Sequence, residues 1–230
     1  MVTKKGDSRF WVVGGGKFGT KAVERLFKKR PEAVITVIDK NAEALEDLRG
    51  LPAEKVCQEG VDFLAHELHP KTAPDWIVPA VPVHLAFEWV CAKISMGQGK
   101  LEIVQVPYEV EAVLPNPIRG PEGQLFVSYA DFVCPNNCKE PFDRCTFTGK
   151  PRKGLLYKRL EEISFDGFTS VVVRSRQLAP GVGGYRPRAL EESLQRVRGL
   201  NGRILYGTAC LCHGVVHAVK LSSLLRTDTG

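Results

Sequence analysis

The sequence predicts an α/β fold: a parallel-sheet half, a proline- and cysteine-rich insertion, and a C-terminal βαβα half. Three observations carry this. A buried strand beginning at Phe10 runs straight into a run of glycines. Amphipathic helices alternate with short apolar strands on both sides of residues 99–165, and prolines punctuate the stretch between. With 230 residues, 43% of them hydrophobic, the chain can fill a substantial core. The divisions expected are 1–98, 99–165 and 166–230.

The first strand and turn read Phe10-Trp-Val-Val-Gly-Gly-Gly-Lys-Phe-Gly19, which gives Gly14, Gly16 and Gly19 the spacing G-x-G-x-x-G. The first glycine permits a sharp turn, and the second lets a pyrophosphate approach the backbone. The third lets the next helix pack close to the strand, its free N–H groups facing the phosphates. Phe18, Ala22, Val23, Leu26 and Phe27 recur at helical spacing. A second strand, Val34 to Ile38, ends in Asp39, placed to receive the adenosine ribose hydroxyls. Lys17, Phe18 and Lys40 flank these positions and complete the expected nucleotide-binding set. The sheet is therefore expected to be Rossmann-like. The blander alternative is a glycine-rich turn without a ligand.

The stretch from Arg9 to Gly50 resembles the nucleotide-binding domains of potassium-uptake regulators, the TrkA-N or RCK family. The likeness rests on Phe10 to Gly19 and on the run from Val37 through Asp39 and Asn41 to Leu48. It implies binding of NAD(H) or another adenine nucleotide, with Gly14, Gly16, Gly19 and Asp39 as the matching positions. The triple glycine also resembles the dehydrogenase domain of siroheme synthases. Neither likeness extends past about Met96, and the cysteines that follow have no counterpart in the regulators' usual continuation.

Further along, Asn41 is placed to cap a helix from Ala42 to Arg49, closed by Gly50. Lys55 to Cys57 predicts a third strand, and Trp76 to Val81 a fourth, which Pro79 cuts short. Val83 to Ile94 predicts a helix with Pro82 at its start. His84 falls near the nucleotide edge, as a capping or solvated histidine or, on the sharper reading, a catalytic one. Residues 100–165 hold two β-like runs, Leu101–Val106 and Leu125–Tyr129, within a loop-rich stretch. A strand over 170–174 then leads to a glycine-rich loop, Ala179 to Tyr185, and to a helix from Pro187 with Leu190, Leu194 and Val197 inward. A strand over 203–206, a loop from Gly207 to Cys212 and a last helix from His213 to Leu225 complete the reading. These late strands either extend the first sheet or form a companion layer.

Seven cysteines are many for a reduced compartment, and clusters there more often mean metal or redox chemistry than disulfides. Cys134, Cys138 and Cys145 share one proline-rich segment, while Cys210 and Cys212 sit far away beside His213. All five are expected to gather at one metal centre beside the glycine turn, with one of Cys210 and Cys212 as the fourth ligand. A helix starting at His213 would lower the Cys212 pKa. An iron–sulfur cluster is the first expectation and zinc the alternative. Packed or directly reactive thiols are the third reading. Cys57 and Cys91 read as ordinary buried thiols. Arg144, Lys150, Arg152 and Lys153 surround the cysteine segment, and Arg174, Arg176, Arg186 and Arg188 bracket the glycine-rich loop; they read either as solvated surface charge or as recognition of a carboxylate or phosphate ligand.

The formal charge of +6 is modest and mixed with many acids, favouring a small anionic ligand or a redox partner protein over nucleic acid. No run is long enough to span a membrane and no apolar signal segment opens the chain, so a cytoplasmic protein, either monomer or homodimer, is expected. The functional expectation is an NAD(H)-binding redox protein carrying a cysteine-ligated cluster. Hydride chemistry would belong to the nicotinamide and one-electron transfer to the cluster, with substrate or partner bridging the two. The rival is a non-catalytic regulatory module with a structural or sensing metal.

Overall fold

The computed structural model describes residues 8–165 and 167–222. Strands β1 (Arg9–Val13), β2 (Val34–Asp39), β3 (Glu54–Cys57) and β4 (Trp76–Pro79) form a parallel sheet in the order β3-β2-β1-β4. Helices α1 (Lys17–Lys29), α2 (Ala42–Glu46) and α3 (Gly60–Glu67) connect them. β1 is covered on both faces. Phe10 and Val12 pack with Ala22, Val23 and Leu26 of α1, while Trp11 and Val13 join Phe63 and Leu64 of α3. Two-sided burial is why the strand reads as an unbroken apolar run. Asn41 caps α2, its Oδ1 accepting the Glu43 N–H at 2.9 Å, but the helix ends at Glu46 and turns carry the chain on to Gly50.

Helix α4 (Leu85–Met96) begins at Leu85, two residues later than its apolar pattern suggests; Val83 is half exposed. It is buried nearly all round, through Leu85, Ala86, Phe87, Trp89, Val90 and Ile94, because it lies between two sheets. The fully buried Trp89 keeps its Nε1–H satisfied by the Leu64 carbonyl at 3.2 Å.

The second sheet is mixed. In chain order come β5 (Lys100–Val104), α5 (Tyr108–Ala112), β6 (Ile118–Arg119), β7 (Leu125–Ser128), α6 (Leu156–Glu161), β8 (Phe168–Arg174), β9 (Arg176–Ala179), β10 (Val182–Gly184), α7 (Pro187–Arg198), β11 (Gly202–Ala209) and β12 (His213–Ser222). The order is β6-β7-β12-β11-β8, with β5 beside β7 along the same side of β12. The late strands thus form a companion layer. Residues 99–165 contribute three strands, β5, β6 and β7, to this sheet. The glycine-rich loop is the antiparallel hairpin β9–β10.

The helix expected from His213 is instead strand β12. It is paired on both sides and its middle is buried from Val216 to Val219, which erases the alternation that marks a half-exposed strand. β-Branched Val215, Val216 and Val219 favour the extended form. Residues 223–225 of that expectation lie outside the described residues.

One core runs from Trp11 through Phe87 and Trp89 of α4 and Leu190 and Leu194 of α7 to Val171, Tyr206 and Val219 of the mixed sheet. The outer edge of β4 is also tied to the C-terminal half: Ile77 and Tyr185 exchange backbone hydrogen bonds of 2.9 and 3.0 Å. Among the described residues, no helix is long and apolar enough to cross a membrane.

Candidate functional site

The three glycines have three different surroundings. Gly14 has φ +109°, and a Cβ there would meet the Ala80 carbonyl oxygen at 2.5 Å. A Cβ on Gly19 would lie 1.9 Å from the Gly14 oxygen, so α1 can approach the turn only without a side chain. Gly16 has nothing within 4 Å of such a methyl, leaving open space in front of α1. That helix starts without a side-chain cap, and its first N–H groups have no intrahelical acceptor. Asp39 stands at the end of β2 with Oδ2 accepting the Gly15 N–H at 2.7 Å and Oδ1 accepting the Asn41 N–H at 2.8 Å. This cradle fits a pyrophosphate and a ribose. Lys17 and Lys40 are exposed beside it. Phe18 departs from expectation: it is 69% exposed, and the buried stripe of α1 is Gly19, Ala22, Val23 and Leu26.

Phe18 instead lines a cleft of about 840 Å³, together with Lys21 and Arg25 of α1 and the end of β4 from Val78 to Pro82. The same cleft takes in Cys134, Cys138, Cys145, Cys210 and Cys212, so thiols from two distant segments line it beside the start of α1. Cys57 and Cys91 are not part of it. Cys91 is half-buried, its thiol pushed up to about 12 chiefly by burial, whereas Cys57, expected to be buried, is exposed.

The cysteine segment has little regular structure of its own and is held by hydrogen bonds from its surroundings. Arg25 Nη1 donates to the carbonyls of Asn136 at 2.7 Å and Pro180 at 2.9 Å, clipping the segment and the hairpin to α1. The Cys138 carbonyl accepts the Gly181 N–H at 3.1 Å and Gln177 Nε2 at 2.6 Å. Gly181 has φ +68°, and a Cβ there would lie 1.8 Å from the Asn136 oxygen. Glu140 reaches the other group of cysteines, its carboxylate accepting the Leu211 N–H at 3.0 Å.

Backbone amides and a guanidinium surround the sulfurs. Cys138 Sγ accepts the Glu140 N–H at 3.4 Å, and Cys210 Sγ accepts those of Cys212 at 3.4 Å and His213 at 3.3 Å. The Thr148 N–H is the first of several donors that hold the Cys145 thiol below its ordinary value. Burial raises Cys134, with the neighbouring Cys138 and Cys145 sulfurs adding to it, and burial followed by the Glu140 carboxylate pushes Cys210 up to about 12. Burial also raises Cys212, opposed by Arg152, whose Nη1 donates to its Sγ. The helix expected to lower Cys212 is absent, because residues 210–213 form the tight turn between β11 and β12; Arg152 is its cationic neighbour instead. Among the described residues, no three His, Cys, Asp or Glu side chains gather closely enough, as placed, to hold a metal ion. The donor chemistry of the cleft still suits thiolate ligation, since five sulfurs share it with amide and guanidinium donors.

Two residues of another cluster lay hidden in the sequence. His84 sits at the N-cap position of α4 but does not cap it. Its Nε2 lies 2.7 Å from Thr208 Oγ1 and its Nδ1 lies 3.0 Å from Nδ1 of His217 on β12, which stacks on Phe87 at 4.1 Å. Burial lowers both histidines, His217 to about 4. A histidine inside a β-branched run was the available signal for His217, and the helical assignment of β12 concealed it. The basic residues also divide. Lys150, Arg152 and Lys153 line the cysteine cleft, while Arg174, Arg176, Arg186 and Arg188 line a separate groove.

With this geometry in place, the chain can be compared with known proteins. A family model described as "Uncharacterized protein, C-terminal domain" matches residues 86–222, from the start of α4 through the whole mixed sheet and all five cleft cysteines. A protein of Archaeoglobus fulgidus, named "Uncharacterized protein", is 31% identical over 220 residues, covering 91% of this chain and 98% of that protein.

Proposed function

The chain belongs to the family that this C-terminal domain describes, and for it we propose an NAD(H)-binding redox protein whose cleft thiolates hold an iron–sulfur cluster. One observation carries the reading: the start of α1, the end of β4 and five cysteines wall a single cleft. In a sheet ordered β3-β2-β1-β4 the ligand crevice lies at the carboxyl ends of the strands. Adenosine over Asp39 and pyrophosphate over Gly16 would direct the far end of a dinucleotide past β1 toward β4, hence into the cleft. When bound, the nicotinamide supplies hydride transfer and the cluster one-electron transfer. The chain's own part is to hold and charge-balance them. Asp39 receives ribose hydroxyls, the free amides of α1 receive phosphate oxygens, and Arg152 with the cleft amides stabilises charge on sulfur. Cys134, Cys138, Cys145 and one of Cys210 and Cys212 would be the ligands. Lys21, Lys150 and Lys153 favour an anionic substrate or an acidic partner. Free thiols in this number suit the reducing cytoplasm.

Anaerobic purification followed by absorption spectroscopy, iron, zinc and labile-sulfide analysis, and titration with NADH tests this reading. Iron with sulfide and a saturable NADH isotherm are expected. Zinc without sulfide would transfer the site to the regulatory reading, which the Ile77–Tyr185 tie between the two halves favours as a route for transmitting occupancy. Metal-free protein with no NADH binding would end both.

A further inference from the structure

Across the β8–β9 strand from the cysteine cleft lies a second concavity, a groove of about 680 Å³. The segment from Arg174 to Gln177 forms the wall between them. Ser175 and Gln177 line the cleft, whereas Arg174 and Arg176 line the groove, as the alternation of extended chain dictates. Arg186 and Arg188, at the start of α7, complete an arginine cluster drawn from three elements, and no lysine joins it. Asp75 also lines the groove, just before β4, which puts it at the opposite edge of the parallel sheet from the glycine turn.

The cluster is only partly neutralised. Arg186 approaches Asp75 at 3.6 Å and lies over the Trp76 ring, and Arg188 pairs with Glu192 at 2.6 Å. Among the described residues, Arg174 and Arg176 have no ion pair and donate no side-chain hydrogen bond; Arg174 Nε is buried without an acceptor while its guanidinium rests on the Tyr157 ring at 4.1 Å. A buried donor left unpaired costs roughly 1–3 kcal/mol, and gathered like charges repel. The Tyr157 and Trp76 rings and the carboxylates of Asp75 and Glu192 offset part of these costs. An anion would offset the remainder. Helix α7 adds the positive end of its dipole, opening on Pro187 with no side-chain cap. Guanidinium forks match the oxygens of a phosphate two at a time, which a lysine cannot do. The groove is also roomier than a bare oxyanion needs.

We propose that this groove is a second ligand site, which binds a dianionic phosphate group, free or carried on a small organic body, between Arg174, Arg176 and the start of α7. The site is independent of the nucleotide turn and of any metal in the cleft. Calorimetric titration at constant ionic strength with inorganic phosphate, a hexose phosphate and the unphosphorylated hexose tests it. The phosphate-bearing probes should bind and the hexose should not; tighter binding of the hexose phosphate than of phosphate identifies an organic ligand, and the reverse identifies free phosphate. Arg176→Ala should weaken binding by about tenfold or more, and Arg176→Lys should restore only part of it. Arg176 is exposed, so this variant should fold, and an unchanged NADH isotherm would verify that the nucleotide turn is intact. Wild-type phosphate affinity in Arg176→Ala and in Arg174→Gln, or heats reproduced by chloride at matched ionic strength, would overturn the proposal.

Discussion

Gly16 and Gly19 stand three residues apart, and a methyl group added to each would meet opposite fates. At Gly19 it would overlap the Gly14 carbonyl oxygen at 1.9 Å, forcing α1 off the sheet. At Gly16 it would meet nothing within 4 Å. Gly16→Ala should therefore melt within roughly 0.5 kcal/mol of wild type while losing about tenfold or more in NAD(H) affinity, because the methyl would stand where the proposed pyrophosphate lies. Gly19→Ala should lose several kcal/mol in urea unfolding before any ligand is added, on the order expected of overpacking. Asp39 calls for a different measurement. In the proposed binding mode its carboxylate would meet a 2′-phosphate, so NADH should bind more tightly than NADPH in parallel titrations, and Asp39→Ala should narrow the gap. The sharp turn at Gly14 and the close helix approach at Gly19 were legible in the sequence because each is a local matter of one turn and its neighbours. The grip of Asp39 on the Gly15 amide was not, since it depends on how β2 sits against the turn. Cys57 misread for a similar reason: β3 is the outermost strand of its sheet, and edge position leaves no mark in four residues.

At the scale of elements, the His84–His217 contact joins the start of α4 to β12, and its hydrogen bond has one nitrogen donating and the other accepting, so the two rings cannot both be protonated. Both folded-state pKa values lie below the ordinary value of 6.5. The sign follows: above pH about 6.5 neither state is protonated there, and stability is complete. As pH falls from there toward about 4, the unfolded chain takes up protons that the folded one refuses, and stability declines. Glu122, 3.8 Å from His217 Nε2, is the carboxylate that faces the pair, and it is largely exposed. Urea unfolding between pH 7.5 and 4.5 should show this slope, and His217→Phe, which keeps the stack on Phe87, should flatten it. An unchanged slope would remove the pair from the pH response. Strands with two covered faces were the hardest elements to read. β1 was identified through its glycine exit, whereas β12 lacks such a marker and presents a helix-like apolar run.

For the molecule as a whole, the cysteine cleft depends on two halves meeting. Its thiols belong to the C-terminal domain, and part of its wall belongs to α1 and β4. The sequence showed that the cysteines fall into two groups and that something must hold the proline-rich segment. It did not show that Arg25 of α1 does much of that work, because a contact between positions 25 and 136 has no local signature. Arg25→Ala should make the segment from 131 to 153 more susceptible to limited proteolysis while β1 and α1 stay protected. Cys134→Ser, Cys138→Ser and Cys145→Ser should each lower the metal content of anaerobically purified protein, and Cys57→Ser should not. Equal metal content in all four would place any bound metal outside the cleft.

The backbone exchange between Ile77 and Tyr185 also sets a timetable for the nascent chain. As the protein leaves the ribosome, β1 to β4 emerge first, and the outer edge of β4 stays open until residue 185 has followed. Apolar α4, buried nearly all round in the finished protein, waits with it for its second sheet. An early half with an open strand edge and an uncovered apolar helix is exposed to wrong partners for as long as synthesis lasts. A chain ending at residue 98 would remain permanently in that state, so it should accumulate as aggregate, and co-expression of residues 99–230 should rescue part of it into solution.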